Sequence, residues 1–221
     1  MNILGIDTST AASAACVLRS DGEAFEVEPS AEAPEERPAH SRELMPAVAR
    51  CLERAGLGYA DIGVVAVGAG PGPFTGLRIG VATARALASA HGAELRAVSS
   101  LAALARGIEA PVALPLIDAR RGELFAALYE DSELTMEPFA AAPEEVAARV
   151  NATGKAPLAA GDGSVRFKEV LETAGIRVAP PGSRAHVVRG LSVCRLAVEA
   201  PTTPRESVLP EYLRLPDAKP L

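Results

Sequence analysis

Two aspartates end apolar stretches of the sequence, and carboxylates in such places could hold a metal–phosphate group. Asp7 is followed by the hydroxyl residues 8–10, and Asp118 is followed by a turn that reaches Gly122. Carboxylates suit Mg²⁺, which prefers oxygen ligands, but neither turn has a glycine placed to bring backbone N–H groups to a phosphate. An aspartate at a strand end also commonly caps a turn. A turn-capping role therefore stands beside a vestigial nucleotide site formed by Asp7, Thr8, Ser9 and Asp118.

A glycine- and proline-rich corner at 68–73 is a second candidate for phosphate binding, because it joins a predicted strand at 64–67 to a predicted helix at 76–91. The N-terminus of a helix presents free N–H groups to an anion. However, no Gly-Lys-Ser/Thr follows, the spacing does not fit G-x-G-x-x-G, and the two prolines have no N–H to donate. The stretch instead predicts a rigid corner, with Thr75 as the N-cap of the helix.

The other side chains that could carry chemistry form no catalytic constellation. The three histidines, His40, His91 and His186, include no pair at i, i+4, whereas a zinc or iron site needs several converging ligands. No serine stands in a G-x-S-x-G elbow. The adjacent Arg120 and Arg121 are typical of a solvated turn. We therefore assign no catalytic residue and no metal ligand.

Composition limits the class of protein. The 221 residues suffice for one large or two small domains, and the net charge of −6 argues against a free-standing nucleic-acid-binding protein. The three cysteines form no CxxC pair, which is typical of a reducing compartment. No segment approaches the ~20 apolar residues that cross a bilayer, and the first residues lack the pattern of a signal peptide. We expect a cytoplasmic protein that does not contact a membrane.

An internal repeat predicts the fold. Residues 112–130 repeat the order of 3–19, with an apolar strand ending in Ile-Asp, a short turn and a second strand, and residues 158–163 echo 65–70. The repeated β-β-β-α-β-α unit indicates an α/β protein of two similar subdomains. Two such halves resemble the actin-like ATPase (ASKHA) architecture of actin, hexokinase and Hsp70. The expected units are an N-terminal subdomain at 1–108, a C-terminal subdomain at 109–200 and a proline-rich tail at 201–221.

Two predicted helices of the first half carry surfaces that could serve a partner. The helix at 39–55 has an apolar stripe, and the helix at 76–91 has a small residue at every fourth position. Small-residue ridges let another backbone approach closely. Both surfaces could be satisfied inside their own domain, but branched residues elsewhere on the second helix are available to cover the sheet, which would leave its small ridge for another chain. The apolar stripe consists of Leu44, Val48 and Leu52, and the small ridge consists of Gly76, Gly80, Ala84 and Ala88.

A longer match carries a family resemblance. The stretch GAGPGPFTGLRIG at 68–80 resembles the G-P-G-S-F-T-G-L-R-I-G signature of the TsaB (YeaZ) family, with Pro73 in place of the usual serine. The resemblance extends to ILGIDTS at 3–9, His40-Ser41, Leu44 and PEYLR at 210–214. It implies a bacterial protein of tRNA threonylcarbamoyladenosine biosynthesis, a non-catalytic homologue of the TsaD/Kae-type glycoprotease-like proteins.

The resemblance also implies partners. The metal-dependent sister of the family carries His-x3-His on the helix that here has His40 and Leu44. The chain would therefore not be an enzyme alone but would scaffold or activate a TsaD-like homologue, with a TsaE-like ATPase, for threonylcarbamoyl transfer to adenosine 37 of tRNA. It would contact tRNA only through this complex, form a homodimer in isolation and at most share ATP or ADP with Mg²⁺ at the partner interface. The expected interface comprises His40, Ser41, Leu44, Val48, Leu52, Phe74, Thr75, Gly76, Arg78, Gly80, Thr83, Ala84 and Leu87.

Two other functions of the same fold stay open from the sequence. An ATP-dependent small-molecule kinase would turn over ATP as a purified protein. A glycoprotease-like metallopeptidase would hold a metal ion, and the missing histidine pair argues against that activity.

Overall fold

The computed structural model describes residues 1–27 and 39–213, and its strands form two five-stranded sheets. The first half contains, in chain order, β1 (Asn2–Asp7), β2 (Ala14–Leu18), β3 (Ala24–Val27), α1 (His40–Ala55), β4 (Ile62–Gly70), α2 (Phe74–His91), β5 (Glu94–Ser99) and α3 (Ser100–Ala105). The second half contains β6 (Val112–Arg120), β7 (Glu123–Glu130), β8 (Glu133–Ala141), α4 (Pro143–Asn151), β9 (Leu158–Ala160), α5 (Asp162–Arg166), α6 (Lys168–Thr173), β10 (Arg177–Val178) and α7 (Gly190–Glu199).

The two sheets have equivalent strand orders, which confirms the predicted duplication. The first sheet has the order β3-β2-β1-β4-β5, and the second has the order β8-β7-β6-β9-β10. In each sheet the first three strands of the half are antiparallel, and the last two pair in parallel. The repeated unit is longer than the predicted β-β-β-α-β-α, because a fifth strand and a further helix complete each half. The protein has the actin-like fold.

Each sheet is covered on both faces, which explains why its central strands are almost wholly apolar. Alternate residues of β1 pack in opposite directions, with Leu4 and Ile6 under α1 and α2, and Ile3 against α3 and α7. The second sheet packs its Ile117 face against the same two helices and its Leu116 face against α4 and α6. The layers are therefore helices, sheet, helices, sheet and helices. None of the helices in the described part of the chain has the length and hydropathy of a bilayer-spanning segment.

Helix α7 is the last helix of the second half in chain order, but it packs on the first sheet. At its start, the Glu26 carboxylate of edge strand β3 accepts hydrogen bonds from the N–H of Leu191 and from Nε of Arg189, each at 3.0 Å. At its end, Arg96 of the opposite edge strand donates to the carbonyl of Ala197 at 2.8 Å. Opposite charges thus complement the two ends of the helix dipole. The last helix of the predicted C-terminal subdomain at 109–200 therefore packs on the first half.

The segment that follows α7 lies along the first half. Val208 is only 1% exposed and joins the core under α1 and α2. The N–H of Glu211 donates to the carbonyl of Ala69, near the end of β4, at 2.7 Å. Apart from one 3₁₀ turn, the segment 201–213 forms no helix or strand, and backbone hydrogen bonds anchor it at Thr203 and Glu211. The rest of the predicted tail, 214–221, lies outside the described residues.

Two helices begin at other residues than the sequence predicts. Helix α2 begins at Phe74, so Thr75 lies inside the helix and is not its N-cap. Pro73 precedes the first turn without a side-chain hydrogen bond, and its fixed φ suits that position. Helix α1 begins at His40, one residue after its predicted start, and α7 begins at Gly190, after a separate 3₁₀ turn that contains His186.

Candidate functional site

Asp7 is buried and caps the turn that follows β1. Its Oδ1 accepts hydrogen bonds from the N–H and the hydroxyl of Ser9, at 2.7 and 2.6 Å, and its Oδ2 accepts one from the hydroxyl of Ser100 at 2.7 Å. Gly68 leaves room for the carboxylate, because a Cβ there would lie 1.7 Å from Oδ2. Burial raises the pKa of the Asp7 carboxyl. These contacts favour the turn-capping role over a magnesium ligand.

Thr8 connects the same turn to α2. Its side chain is fully buried, and its hydroxyl donates to the carbonyl of Gly76 at 2.7 Å. A Cβ at Gly76 would lie 2.2 Å from the carbonyl oxygen of Thr8, and a Cβ at Gly80 would lie 2.3 Å from its Oγ1. Two glycines of the small ridge therefore let α2 lie directly on this turn.

Asp118 is buried in a comparable place in the second half, but arginines balance its charge. Its Oδ2 accepts hydrogen bonds from the guanidinium groups of Arg120, at 3.2 Å, and Arg166, at 3.0 Å. Its N–H donates to Oδ1 of Asp162 at 3.0 Å. Burial raises the pKa of Asp162 to about 6. The hydrogen bonds of Asp7 stay within the first half and those of Asp118 within the second, so the expected joint nucleotide site is not assembled by these contacts.

His40 is buried at the start of α1. Its Nδ1 lies 2.9 Å from the hydroxyl of Ser13, and burial lowers the pKa of the imidazole. Leu44, one turn further along the helix, is 1% exposed. Within residues 1–27 and 39–213, no three His, Cys, Asp or Glu side chains are grouped so that they could share a metal ion.

The small ridge of α2 and the apolar stripe of α1 both face the interior of their own half, against our expectation. Ala84 is fully buried, and Leu44 packs in the same core cluster. Each helix thus uses these residues to contact the first sheet and its neighbouring turns, and none of them is left for another chain. The predicted interface residues that are buried in this way are His40, Leu44, Val48, Leu52, Gly76, Gly80 and Ala84.

The opposite sides of α1 and α2 form one exposed surface, since the two helices contact each other. We call it the outer face. It includes the remaining predicted interface residues, of which Ser41, Phe74, Thr75 and Arg78 are exposed and Thr83 and Leu87 are partly exposed. Its other exposed members, which the sequence analysis missed, include Arg42, Met45, Ala49, Arg50, Ala82 and Ala86.

An aromatic cluster joins the start of α2 to the segment 201–213, which we call the C-terminal segment. The rings of Phe74 and Tyr212 stack with their centroids 5.1 Å apart, and the guanidinium carbon of Arg78 lies 3.7 Å from the centroid of the Phe74 ring. Nε of Arg78 donates to the Tyr212 hydroxyl at 3.3 Å. Tyr212 is not among the predicted interface residues, although it lies in the PEYLR stretch that carries part of the family resemblance.

Comparisons with known proteins agree on a family. The family model described as TsaD: tRNA N6-adenosine threonylcarbamoyltransferase matches residues 33–218. An uncharacterized protein of Mycobacterium tuberculosis is 35% identical over 224 residues, which cover 99% of this chain and 94% of that protein. The chain spans 56% of a longer uncharacterized relative from Mycobacterium leprae, at 32% identity.

Named relatives and a solved structure show to which branch of this family the chain belongs. The tRNA threonylcarbamoyladenosine biosynthesis protein TsaB of Escherichia coli is 36% identical over 140 residues, which cover 60% of this chain and 57% of that protein. The structure of YeaZ from Pseudomonas aeruginosa superposes with a TM-score of 0.74 at 29% identity and covers 96% of this chain and 99% of that one. The chain therefore belongs to the TsaB (YeaZ) family.

Proposed function

We propose that this chain is a non-catalytic subunit in tRNA threonylcarbamoyladenosine biosynthesis. It pairs with a TsaD-like homologue and supports the transfer of a threonylcarbamoyl group to adenosine 37 of tRNA. The names of the TsaB relatives support the process, and the match to the TsaD family model supports homology between this chain and a TsaD-like protein. The single observation that carries the non-catalytic role is that both strand-end carboxylates are occupied by this chain's own side chains.

The occupied carboxylates argue against chemistry at the expected site. A magnesium ligand needs free carboxylate oxygens, but Asp7 accepts three hydrogen bonds from serines and Asp118 is shared by two arginines. At the start of α1, a leucine stands one turn after His40 and is buried in the core. These arrangements leave the TsaD-like partner to supply the metal and the reacting groups.

The outer face is the surface that we assign to the TsaD-like partner. Met45 and Phe74 are each 39% exposed there, and the exposed Ala82 and Ala86 let a facing helix approach closely. The two helices carry five arginines and two glutamates, whereas the whole chain has a net charge of −6. Such a basic, partly apolar surface suits an acidic surface on another protein.

Other partners expected from the resemblance stay predictions. An isologous homodimer through the outer face would bring the arginines of two copies together, so this surface favours a different partner. A TsaE-like third component, and ATP or ADP with Mg²⁺ shared at the partner interface, follow from the family resemblance alone.

The experiment is a reconstitution of tRNA modification. The TsaD homologue from the same source is assayed for threonylcarbamoyladenosine formation with and without this chain, and the two proteins are tested for co-elution in gel filtration. We expect product and a stable complex only when both proteins are present. Full activity of the TsaD homologue alone would refute the proposed role. Turnover of ATP by the isolated chain, or a stoichiometric metal in it, would support the kinase or the metallopeptidase instead.

A further inference from the structure

We propose that the C-terminal segment forms part of the partner-binding surface, with Tyr212 and Phe74 holding Arg78 in position for a carboxylate of the partner. This inference rests on the proposed function, because the occupant is the acidic surface of the TsaD-like subunit. It adds the tail to a surface otherwise built from α1 and α2. Tyr212 lies more than 130 positions from Arg78 in the sequence, and only the fold brings the two together.

The C-terminal segment is held firmly before it reaches Tyr212. Val208 is buried in the core of the first half, and the N–H of Glu211 donates to the carbonyl of Ala69. Gly70 permits this close approach, since a Cβ there would lie 2.8 Å from the carbonyl oxygen of Glu211. The segment therefore presents Tyr212 at a defined place beside the first turn of α2.

The stacked rings restrict the arginine at the surface. Arg78 contacts the face of Phe74 and donates from Nε to Tyr212, so its side chain has lost much of its freedom before a partner binds. An arginine ordered in advance loses less entropy on binding, and its remaining N–H groups can bind a carboxylate in a bidentate manner. Arg78 forms no salt bridge within residues 1–27 and 39–213. Phe74 and Tyr212 both remain 39% exposed.

The cluster has the composition of an interaction hot spot. Tyrosine and arginine are enriched among the residues that carry most of the binding energy in protein interfaces. Exposed Leu209 adds apolar surface on the same segment. The arginine excess of α1 and α2 provides the charge complementarity for an acidic partner.

An RNA partner suits the cluster less well. Arginine and aromatic side chains also bind RNA, where unpaired bases stack on the rings. Here, however, the Phe74 and Tyr212 rings stack on each other, and Arg78 covers Phe74, so no gap between the rings is open to a base. The net charge of −6 of the whole chain also disfavours an RNA partner.

The experiment compares two arginines that each cover the ring of a phenylalanine. Arg78→Ala and Tyr212→Ala test the cluster, and Arg149→Ala is the matched control, because Arg149 is exposed and covers the ring of Phe139 in the second half at 4.6 Å. Binding of each variant to the TsaD homologue is measured by isothermal titration calorimetry at two salt concentrations, with thermal unfolding in parallel. We expect Arg78→Ala and Tyr212→Ala to weaken binding at least tenfold, Arg149→Ala to bind like the wild type, and all three to melt normally.

The outcomes separate this inference from the proposed function. If the wild type itself does not bind the TsaD homologue, the proposed function fails. If the wild type binds and both cluster variants bind equally well, the cluster is outside the interface and this inference is wrong. Weakened binding of tRNA by Arg78→Ala, with unchanged binding of the TsaD homologue, would also overturn it in favour of an RNA contact.

Discussion

At the scale of single residues, the two strand-end aspartates differ in how their charge is balanced. Neutral hydroxyl and N–H groups surround Asp7, whereas two guanidinium groups share Asp118. The sequence indicated turn caps as one of two interpretations at both places, because each aspartate ends an apolar strand. It could not reveal Ser100 or Arg166 as partners, since these contacts depend on how distant strands and helices pack.

Asp162 gives a pH-dependent prediction at this scale. Burial raises its pKa from 3.8 to about 6, so the folded state holds a proton more tightly than the unfolded state. Stability from this group is present below pH 4 and is lost as the pH rises through 6. Asp162→Asn removes this loss. The free energy of unfolding of the variant, relative to that of the wild type, should therefore be about 2 kcal/mol higher at pH 7.5 than at pH 4.

Urea unfolding at the two pH values measures this difference. Asp21→Asn is the control, because the Asp21 side chain is about half exposed and pairs with Arg19 at the surface. The same relative stability of Asp162→Asn at both pH values would contradict the prediction.

At the scale of elements, α2 shows what periodicity reveals and what it leaves open. Small residues at every fourth position correctly indicated a close backbone contact. The pattern did not say on which side of the helix that contact lies, and it lies inside, where Gly76 and Gly80 pack on Thr8. Which side of α2 is buried depends on where the turn after β1 lies. A helical pattern in the sequence does not show the position of that turn.

Two tryptophan substitutions on α2 distinguish its inner and outer sides. Ala84 is fully buried, whereas Ala82 is exposed. Ala84→Trp should lower the free energy of unfolding by ~3 kcal/mol or more, because it overfills a packed core. Ala82→Trp should change it by less than ~0.5 kcal/mol. Chemical denaturation of both variants provides the measurement, and equal stabilities would show that the small ridge is not part of the core.

The contact between Glu26 and the start of α7 gives a second prediction at the scale of elements. The Glu26 side chain is almost fully buried between Arg189 and the N–H of Leu191. Glu26→Ala leaves both donors without their acceptor and should cost about 3 kcal/mol. Hydrogen exchange should increase first in α7 and β3.

A surface pair in the same half serves as the control for this variant. Glu23 pairs with Arg19 where both side chains are well exposed, so Glu23→Ala should cost less than ~1 kcal/mol. Similar losses for the two variants would mean that Glu26 does not fasten α7.

At the scale of the whole molecule, the internal repeat was the most informative feature of the sequence. The Ile-Asp pairs at Asp7 and Asp118 lie in equivalent strands of the two sheets, although β6 continues for two residues beyond Asp118. A single sequence could not show that α7 returns to the first sheet, because Glu26 and Arg189 give no local signal of their contact. The arginine excess of α1 and α2 can be counted from the sequence, but only the fold shows that the two helices lie against each other.

The central claim is that the outer face of α1 and α2 binds the TsaD homologue. Isothermal titration calorimetry of that protein with Ala82→Trp tests it most directly, with Val165→Trp, at a 45% exposed position of the second half, as the control. We expect Ala82→Trp to weaken binding at least tenfold with an unchanged melting temperature, and Val165→Trp to bind like the wild type. Wild-type affinity of a folded Ala82→Trp would contradict the claim.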